Sequence, residues 1–172
     1  MNECIKVLKT RRSTKSYQSK PVPKALLDEI LSAGVNAPTG RNLQSPVMVV
    51  VTNEELVREL GQLNAQILGV THDAFYGAPA VVIVFADSTV PTHLEDGSLV
   101  MGNLLNAAFS LGLGCCWIHR AREMFRTPRG KELMKKWGLS EKYVGIGNCI
   151  LGYAVQQTPP KTHKENYIIY DS

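Results

Sequence analysis

Two continuous apolar runs constrain the fold of this 172-residue chain more than any other feature. The first, from Val47 to Val51, is short and rich in β-branched residues. The second extends from Ala80 to Phe85 and directly follows Pro79. Runs of this length and composition are typical of buried strands, and proline is tolerated where a strand begins. The sequence therefore predicts two core strands of a β-sheet.

Helices and further strands are predicted around these runs. Apolar residues on one helical face predict a helix over 24–32, which begins after Pro23 and ends at Gly34. Thr52 or Asn53 can cap a second helix. Further helices are predicted over 96–111 and 127–137, and further strands over 115–118 and 144–151. Because several helices separate few strands, a doubly wound parallel sheet is a poor fit.

Composition indicates an ordinary soluble protein, and we expect one domain spanning residues 1–172. Hydrophobic residues make up 44%, charged residues 20%, and the formal net charge of +4 is mild. This charge suits an anionic ligand, but nucleic-acid binding usually requires a more concentrated basic face. There is no secretory signal pattern, and the longest apolar stretch, 78–86, is too short to cross a bilayer. A cytoplasmic location is expected by default.

The cysteines indicate neither a disulfide framework nor a metal site. Cys115 and Cys116 are adjacent, which is not the C-x-x-C spacing of zinc ligands. Cys115 and His119 could form one pair of metal ligands, but no second pair accompanies them. We therefore expect no bound metal, and cysteines that are buried and reduced.

Four segments could contribute to a binding site. Arg11 to Tyr17 (RRSTKSY) is basic and hydroxyl-rich, and a guanidinium can bind a phosphate at two points, although a solvated basic turn has the same composition. Ala37 to Gln44 (APTGRNLQ) is a compact loop in which Gly40 can supply a positive φ. The others are the glycine-rich Leu111 to His119 (LGLGCCWIH), and Leu151 to Ala154 followed by a basic cluster at 161–164.

Together, in this order, these segments resemble the nitroreductase family of FMN-dependent oxidoreductases. The resemblance implies an α+β, three-layer nitroreductase-like fold, with a central mixed, mostly antiparallel sheet flanked by helices and an exchanged C-terminal tail. It implies a homodimer with FMN at the subunit interface and NADH or NADPH as electron donor. Hydride would pass by way of flavin N5 to a small-molecule acceptor, such as a nitroaromatic or a quinone, in a ping-pong reaction. No nucleic-acid or membrane partner is expected.

The resemblance also assigns roles to residues near the N-terminus. Arg11, Arg12 and Ser13 match positions that bind the flavin phosphate, and Lys15 matches the cation beside the N1/C2-carbonyl edge. A cation there stabilises the negative charge that reduction creates. The loop would come from the partner subunit and lie along one face of the ring through Pro38, Thr39, Gly40 and Asn42.

Further roles fall in the second half of the chain. The backbone N–H of His119 would donate to flavin N5, and its side chain is an alternative proton donor. Lys161 would be a second phosphate partner. His163 stands where the family usually has arginine, and Lys164 is an alternative to it. A mid-chain polar residue normally contacts the ring, and three candidates stay open: Asn64, Gln66 and Thr71. No catalytic side chain is assigned.

Other functions fit parts of the sequence. One is a specialised flavoenzyme that acts on a single metabolite, like a dehalogenase or dehydrogenase. Another is a flavin-binding protein that stores electrons without turnover. A third is a nucleic-acid or protein-binding module that uses Arg11, Arg12 and the basic residues of 131–136, although no aromatic residues are interleaved with those charges.

Overall fold

The structure is a computed structural model that describes residues 2–156 and 158–171. The helices are α1 (Glu3–Thr10), α2 (Lys24–Val35), α3 (Glu54–Leu68), α4 (His93–Ser110), α5 (Ala121–Met124) and α6 (Pro128–Lys136). The strands are β1 (Pro46–Val51), β2 (Ala80–Asp87), β3 (Gly114–Ile118) and β4 (Tyr143–Gly152), and a single 3-10 turn covers Gly40–Asn42. The expected α+β class is confirmed.

The four strands form one sheet in the order β1-β2-β4-β3, and each neighbouring pair is antiparallel. Residues outside the strands extend the pairing at the β3 edge. Ser13 forms an isolated parallel bridge with Cys115, and Tyr17 forms an antiparallel bridge with Ala154. The predicted mixed, mostly antiparallel sheet is thus confirmed, and the basic segment lies along its edge.

Strand β2 divides its side chains between two apolar cores. Val81, Ile83 and Phe85 belong to a core that also contains residues of α3, α5 and α6. Val82 and Val84 belong to the opposite core, formed with α2 and α4. Because successive side chains of a strand point to opposite faces, this alternation shows that helices cover both faces. The continuous apolar run is the sequence signature of this three-layer arrangement.

Two predicted helix boundaries were wrong. Gly34 does not end α2, which continues to Val35. A Cβ at Gly34 would lie 2.8 Å from Sδ of Met48, so the glycine allows α2 to pack closely against β1. Helix α4 begins at His93 rather than at Asp96, whose buried carboxylate instead binds a neighbouring loop. Tertiary packing therefore decides both boundaries.

Among the described residues, no helix has the combination of length and hydrophobicity needed to cross a membrane.

Candidate functional site

The basic segment, Arg11 to Tyr17, follows directly after α1 and lies beside β3, the edge strand of the sheet. Helix α1 ends at Thr10, and Arg11 adopts an extended conformation with φ −55° and ψ 136°. The backbone N–H of Thr14 then donates to the carbonyl oxygen of Cys115 at 2.9 Å. Arg11, Ser13 and Lys15 are thereby held beside β3.

The two arginines of this segment carry unsatisfied donors. Arg11 Nη1 and Arg12 Nε are buried and have no hydrogen-bond partner within residues 2–156 and 158–171. Arg12 Nη1, by contrast, donates to the carbonyl oxygens of Lys9 and Arg11 at 3.0 and 2.7 Å. A buried cationic donor without an acceptor is costly, whereas an anion in contact with it removes that cost. The pair therefore fits an anionic group such as a phosphate.

The pKa values of the two thiols in β3 reflect the nearby position of the basic segment. Burial raises the pKa of Cys115 to about 11, and the guanidinium of Arg11 opposes part of that increase. Burial also raises the pKa of Cys116, against the opposing effects of the Ser13 hydroxyl and the Lys15 ammonium. Both thiols are protonated at neutral pH, so neither supplies a reactive thiolate.

Tyr76 joins this site, although no sequence motif assigned it a role. Its ring centroid lies 5.8 Å from Nζ of Lys15. Tyr76 has a φ of 55° and precedes Gly77, and Asp73 accepts hydrogen bonds from the N–H groups of Phe75 and Gly77 at 2.8 and 2.7 Å. An Asp followed by aromatic residues and glycine is the turn signal that could have identified it.

Two buried amides fix the peptides at the end of β3. Asn64 Nδ2 donates to the carbonyl oxygen of His119 at 2.7 Å, and Asn148 Nδ2 donates to that of Ile118 at 3.1 Å. The amides are 1% and 0% exposed. The N–H and C=O of a trans peptide point in opposite directions, so the N–H groups of His119 and Arg120 point away from these amides.

Asn64 is one of the three mid-chain residues that were candidates for contact with the flavin ring. Asn64 is buried beneath His119, where its amide is already used, so it is not available to face a ligand; Gln66 and Thr71 are both exposed. Asn148 was missed by sequence reasoning. Asn148 could have been found as an amide within the apolar strand β4. A buried polar side chain normally has a hydrogen-bond partner, so such a residue indicates a specific contact.

The Pro38–Asn42 loop is bound to the N-terminal turn of α4. Asp96 accepts hydrogen bonds from the backbone N–H of Gly40 at 2.8 Å and from the Ser45 hydroxyl at 2.7 Å. Gly40 could have supplied a positive φ but does not have one. Positive φ values occur instead at Arg41 (52°), Asn42 (55°) and Gln44 (49°). Glycine is required because a Cβ would clash with the side chain of Thr92.

Within one chain, this loop and the basic segment lie at opposite ends of α4. Gly40 contacts Asp96 near the start of the helix. Arg12 and Thr14 line a cleft of about 450 Å³ together with Phe109, near the end of the helix. A rise of ~1.5 Å per residue places Asp96 and Phe109 about 20 Å apart. The loop and the basic segment of a single chain therefore lie near opposite ends of this helix.

The C-terminal segment begins beside the basic segment, and its later residues are exposed. The Thr158 hydroxyl donates to the carbonyl oxygen of Ser13 at 2.8 Å. Lys161 and His163 follow and are exposed, and the described residues include no hydrogen bond or ion pair that joins either of them to Arg11. Four apolar residues near the end are 65–88% exposed: Tyr167, Ile168, Ile169 and Tyr170.

The cysteines are buried as expected, with one exception. Cys115, Cys116 and Cys149 are buried, whereas Cys4 is exposed on α1. In the described ranges, no group of three or more His, Cys, Asp or Glu side chains could hold a metal ion.

The fold and the site define a three-layer α+β domain whose edge strand carries a basic segment with unsatisfied cationic donors. The chain belongs to the nitroreductase family, whose sequence profile matches residues 8–70 and 66–153. This confirms the family resemblance found in the sequence.

Individual relatives agree with this assignment. A Methanothermobacter thermautotrophicus protein named as an NADH dehydrogenase/NAD(P)H nitroreductase is 32% identical over 67% of this chain, and the match spans 60% of its own length. An Archaeoglobus fulgidus protein with the same name is 29% identical over 97% of this chain and 91% of its own. The crystal structure of a nitroreductase with bound FMN from Bacteroides fragilis has a TM-score of 0.89, with 27% identity and complete coverage of both chains.

Proposed function

We propose that this protein is an FMN-dependent oxidoreductase that takes electrons from NADH or NADPH and reduces a small acceptor such as a nitroaromatic or a quinone. The FMN in the Bacteroides fragilis relative and the NAD(P)H nitroreductase names of two relatives support this reading. Bound FMN would supply the hydride chemistry. The protein would contribute binding, orientation and electrostatics.

The observation that carries the proposal is the pair of unsatisfied guanidinium donors beside β3. A phosphate would satisfy Arg11 and Arg12, and the Ser13 hydroxyl would add a further donor. Lys161, with His163 or Lys164, would complete this set. The hydrogen bond between Thr158 and Ser13 supports the idea, because it brings the start of the C-terminal segment to the phosphate residues.

The end of β3 would hold the reactive edge of the cofactor. Because Asn148 binds the carbonyl oxygen of Ile118, the His119 N–H of the same peptide is directed outward and can donate to flavin N5. Asn64 holds the next peptide through the carbonyl oxygen of His119. Lys15 would stabilise negative charge at the N1/C2-carbonyl edge by electrostatic attraction. The solvent or the exposed His119 side chain can supply the proton, and no nucleophile is required.

The positions of the loop and the basic segment support a homodimer. Because these two sites lie at opposite ends of α4, a loop from a second subunit would bring both to one cofactor. In that arrangement Pro38, Thr39, Gly40 and Asn42 of one subunit would cover the ring bound to the other. The exposed apolar residues at 167–170 support an exchanged tail, since contact with a partner would bury them.

Cofactor analysis tests the first part of the proposal. The purified protein is expected to be yellow and to release FMN, rather than FAD, on denaturation. A colourless protein that takes up no flavin on reconstitution would refute it.

Kinetics test the second part. Anaerobic reduction by NADH or NADPH, followed by mixing with a nitroaromatic or a quinone, should return the oxidised spectrum, and steady-state double-reciprocal plots should be parallel. A reduced flavin that persists in the presence of each acceptor would indicate electron storage instead.

A further inference from the structure

A groove between α5, α6 and the start of β4 has the composition of an anion-binding site. Its volume is about 720 Å³, within the range of roughly 300–1,000 Å³ typical of small-molecule sites. Four basic side chains line it: Arg122, Arg126, Lys131 and Lys135. Glu141 is the one carboxylate among its described lining residues.

These four cations are available to a ligand. In the part of the chain that the structure describes, none of them forms an ion pair. Arg129, on the same helix α6, behaves differently, because its guanidinium binds the carboxylates of Glu59 and Glu132. Arg129, which is not among the residues that line the groove, is therefore already neutralised, whereas the four lining cations are not.

The floor of the groove is apolar. Phe125 and Met134 are buried there, and Leu139 and Tyr143 are half-buried. A planar ring can pack on such a floor while phosphates attached to it reach the cations at the rim. A concave site of this size suits a nucleotide better than an extended nucleic acid, which binds through a long basic track and exposed aromatic side chains.

The groove also lies next to the proposed reaction site. Arg120 has a φ of 73° and turns the chain directly after His119, so that α5 packs on β4. A Cβ at Gly145 would lie 2.5 Å from the carbonyl carbon of Ala121, which shows how closely the two elements approach. Arg122 on the groove therefore follows His119 at the end of β3 by only three residues.

We propose that this groove binds the phosphorylated adenosine end of NADPH and so favours NADPH over NADH. The inference rests on the proposed function, in which the nicotinamide must reach the end of β3. The remainder of the dinucleotide must then lie on the adjacent surface. NADPH carries one phosphate more than NADH at its adenosine end, and the unpaired cations of the groove complement that charge.

Calorimetric titration of the purified protein with adenosine 2′,5′-bisphosphate tests the groove without reference to turnover. Binding is expected, and it should weaken with rising salt concentration. The double variant Lys131→Gln/Lys135→Gln should weaken it about tenfold, the equivalent of ~1.4 kcal/mol. The control is Lys136→Gln, which removes one positive charge from the same helix outside the groove, whereas the double variant removes two. Equal affinities for the control and the double variant would overturn the proposal.

Steady-state kinetics then identify the source of the adenosine phosphate. The double variant should raise KM for NADPH about tenfold, change KM for NADH little, and leave kcat unchanged. The bisphosphate should inhibit competitively against NADPH. Noncompetitive inhibition would overturn the assignment to the electron donor, because it would indicate a separate nucleotide effector. The calorimetric result stands even if the protein lacks FMN, so failure of the groove and failure of the proposed function are distinguishable.

Discussion

Asn64 on α3 donates a hydrogen bond to the carbonyl oxygen of His119, across 55 residues of sequence, at 2.7 Å. Its amide is 1% exposed, so this bond lies within the core and not on the surface of the site. It joins a helix on one face of the sheet to the peptide that directly follows the one whose N–H we assign to the cofactor. The backbone at the end of β3 is thus held in place by a hydrogen bond from the core.

Replacement of Asn64 by alanine should therefore destabilise the protein. The His119 carbonyl would lose its buried donor, and we expect the free energy of unfolding to fall by about 1–3 kcal/mol. Urea denaturation followed by circular dichroism measures this. Gln66→Ala is the matched control, since it removes an exposed amide from the same helix and should change stability by less than ~0.5 kcal/mol. Equal effects of the two substitutions would contradict the role of Asn64.

Replacement of Lys15 by methionine should lower the two-electron reduction potential of the bound flavin. Loss of the cation removes charge stabilisation of the reduced state, and ~1.4 kcal/mol of lost stabilisation corresponds to about 30 mV. A redox titration against a reference dye measures the change. Lys20→Met is a suitable control, because the Lys20 ammonium lies 4.4 Å from the ring centroid of Tyr153 instead. An unchanged potential in the Lys15 variant would remove the proposed role of this residue.

The thiols should differ in reactivity. At pH 8 a disulfide reagent is expected to modify Cys4 rapidly, since Cys4 is exposed, and to modify Cys115, Cys116 and Cys149 only after unfolding. The variant Cys4→Ser should have no rapidly reacting thiol. Rapid release of more than one equivalent from the native protein would contradict the buried positions.

The raised pKa of Cys115 also predicts a loss of stability at alkaline pH. Its thiol has an ordinary pKa of 9.0 in the unfolded chain, and burial raises this pKa to about 11 in the folded protein. The unfolded state therefore releases its proton first, and the free energy of unfolding should decline as pH rises from 9 towards 11. Cys115→Ala should show a shallower decline in chemical denaturation measured across this range. An identical slope would refute the linkage.

Deletion of residues 167–172 should weaken dimerisation and FMN retention. The deleted part contains the four exposed apolar residues that we expect to pack on a partner subunit. Size-exclusion chromatography with light scattering gives the mass, and the absorbance of the eluted protein gives its flavin content. A full-length variant with serine at the four positions 167–170 should behave like the truncated protein. A stable, fully loaded dimer in both cases would exclude the exchanged tail.

Local patterns in the sequence predicted most of the secondary structure. The run from Ala80 to Phe85 became the central strand β2, because a strand covered on both faces needs apolar side chains at every position. Of the two predicted caps of α3, Thr52 and Asn53, the structure uses Asn53, whose side chain accepts the N–H of Leu56 at 2.9 Å. The boundary at Gly34 was not predictable, since it depends on contact with Met48 in a distant strand.

The candidate site was only partly predictable, for a related reason. Arg11, Ser13 and Lys15 are close in sequence, so their shared position beside β3 follows from one extended segment. Asn148 and Tyr76 come from other parts of the chain, and no local motif links them to His119 or Lys15.

By itself, the sequence determined the strands, most of the helices, the family and the basic segment, because periodicity, capping and turn chemistry act over a few neighbouring residues. Only the tertiary structure revealed which amides hold the end of β3, and that the Gly40 loop lies at the far end of α4 from Arg12. Contacts of this kind depend on how distant segments pack together, and packing is a property of the whole folded chain.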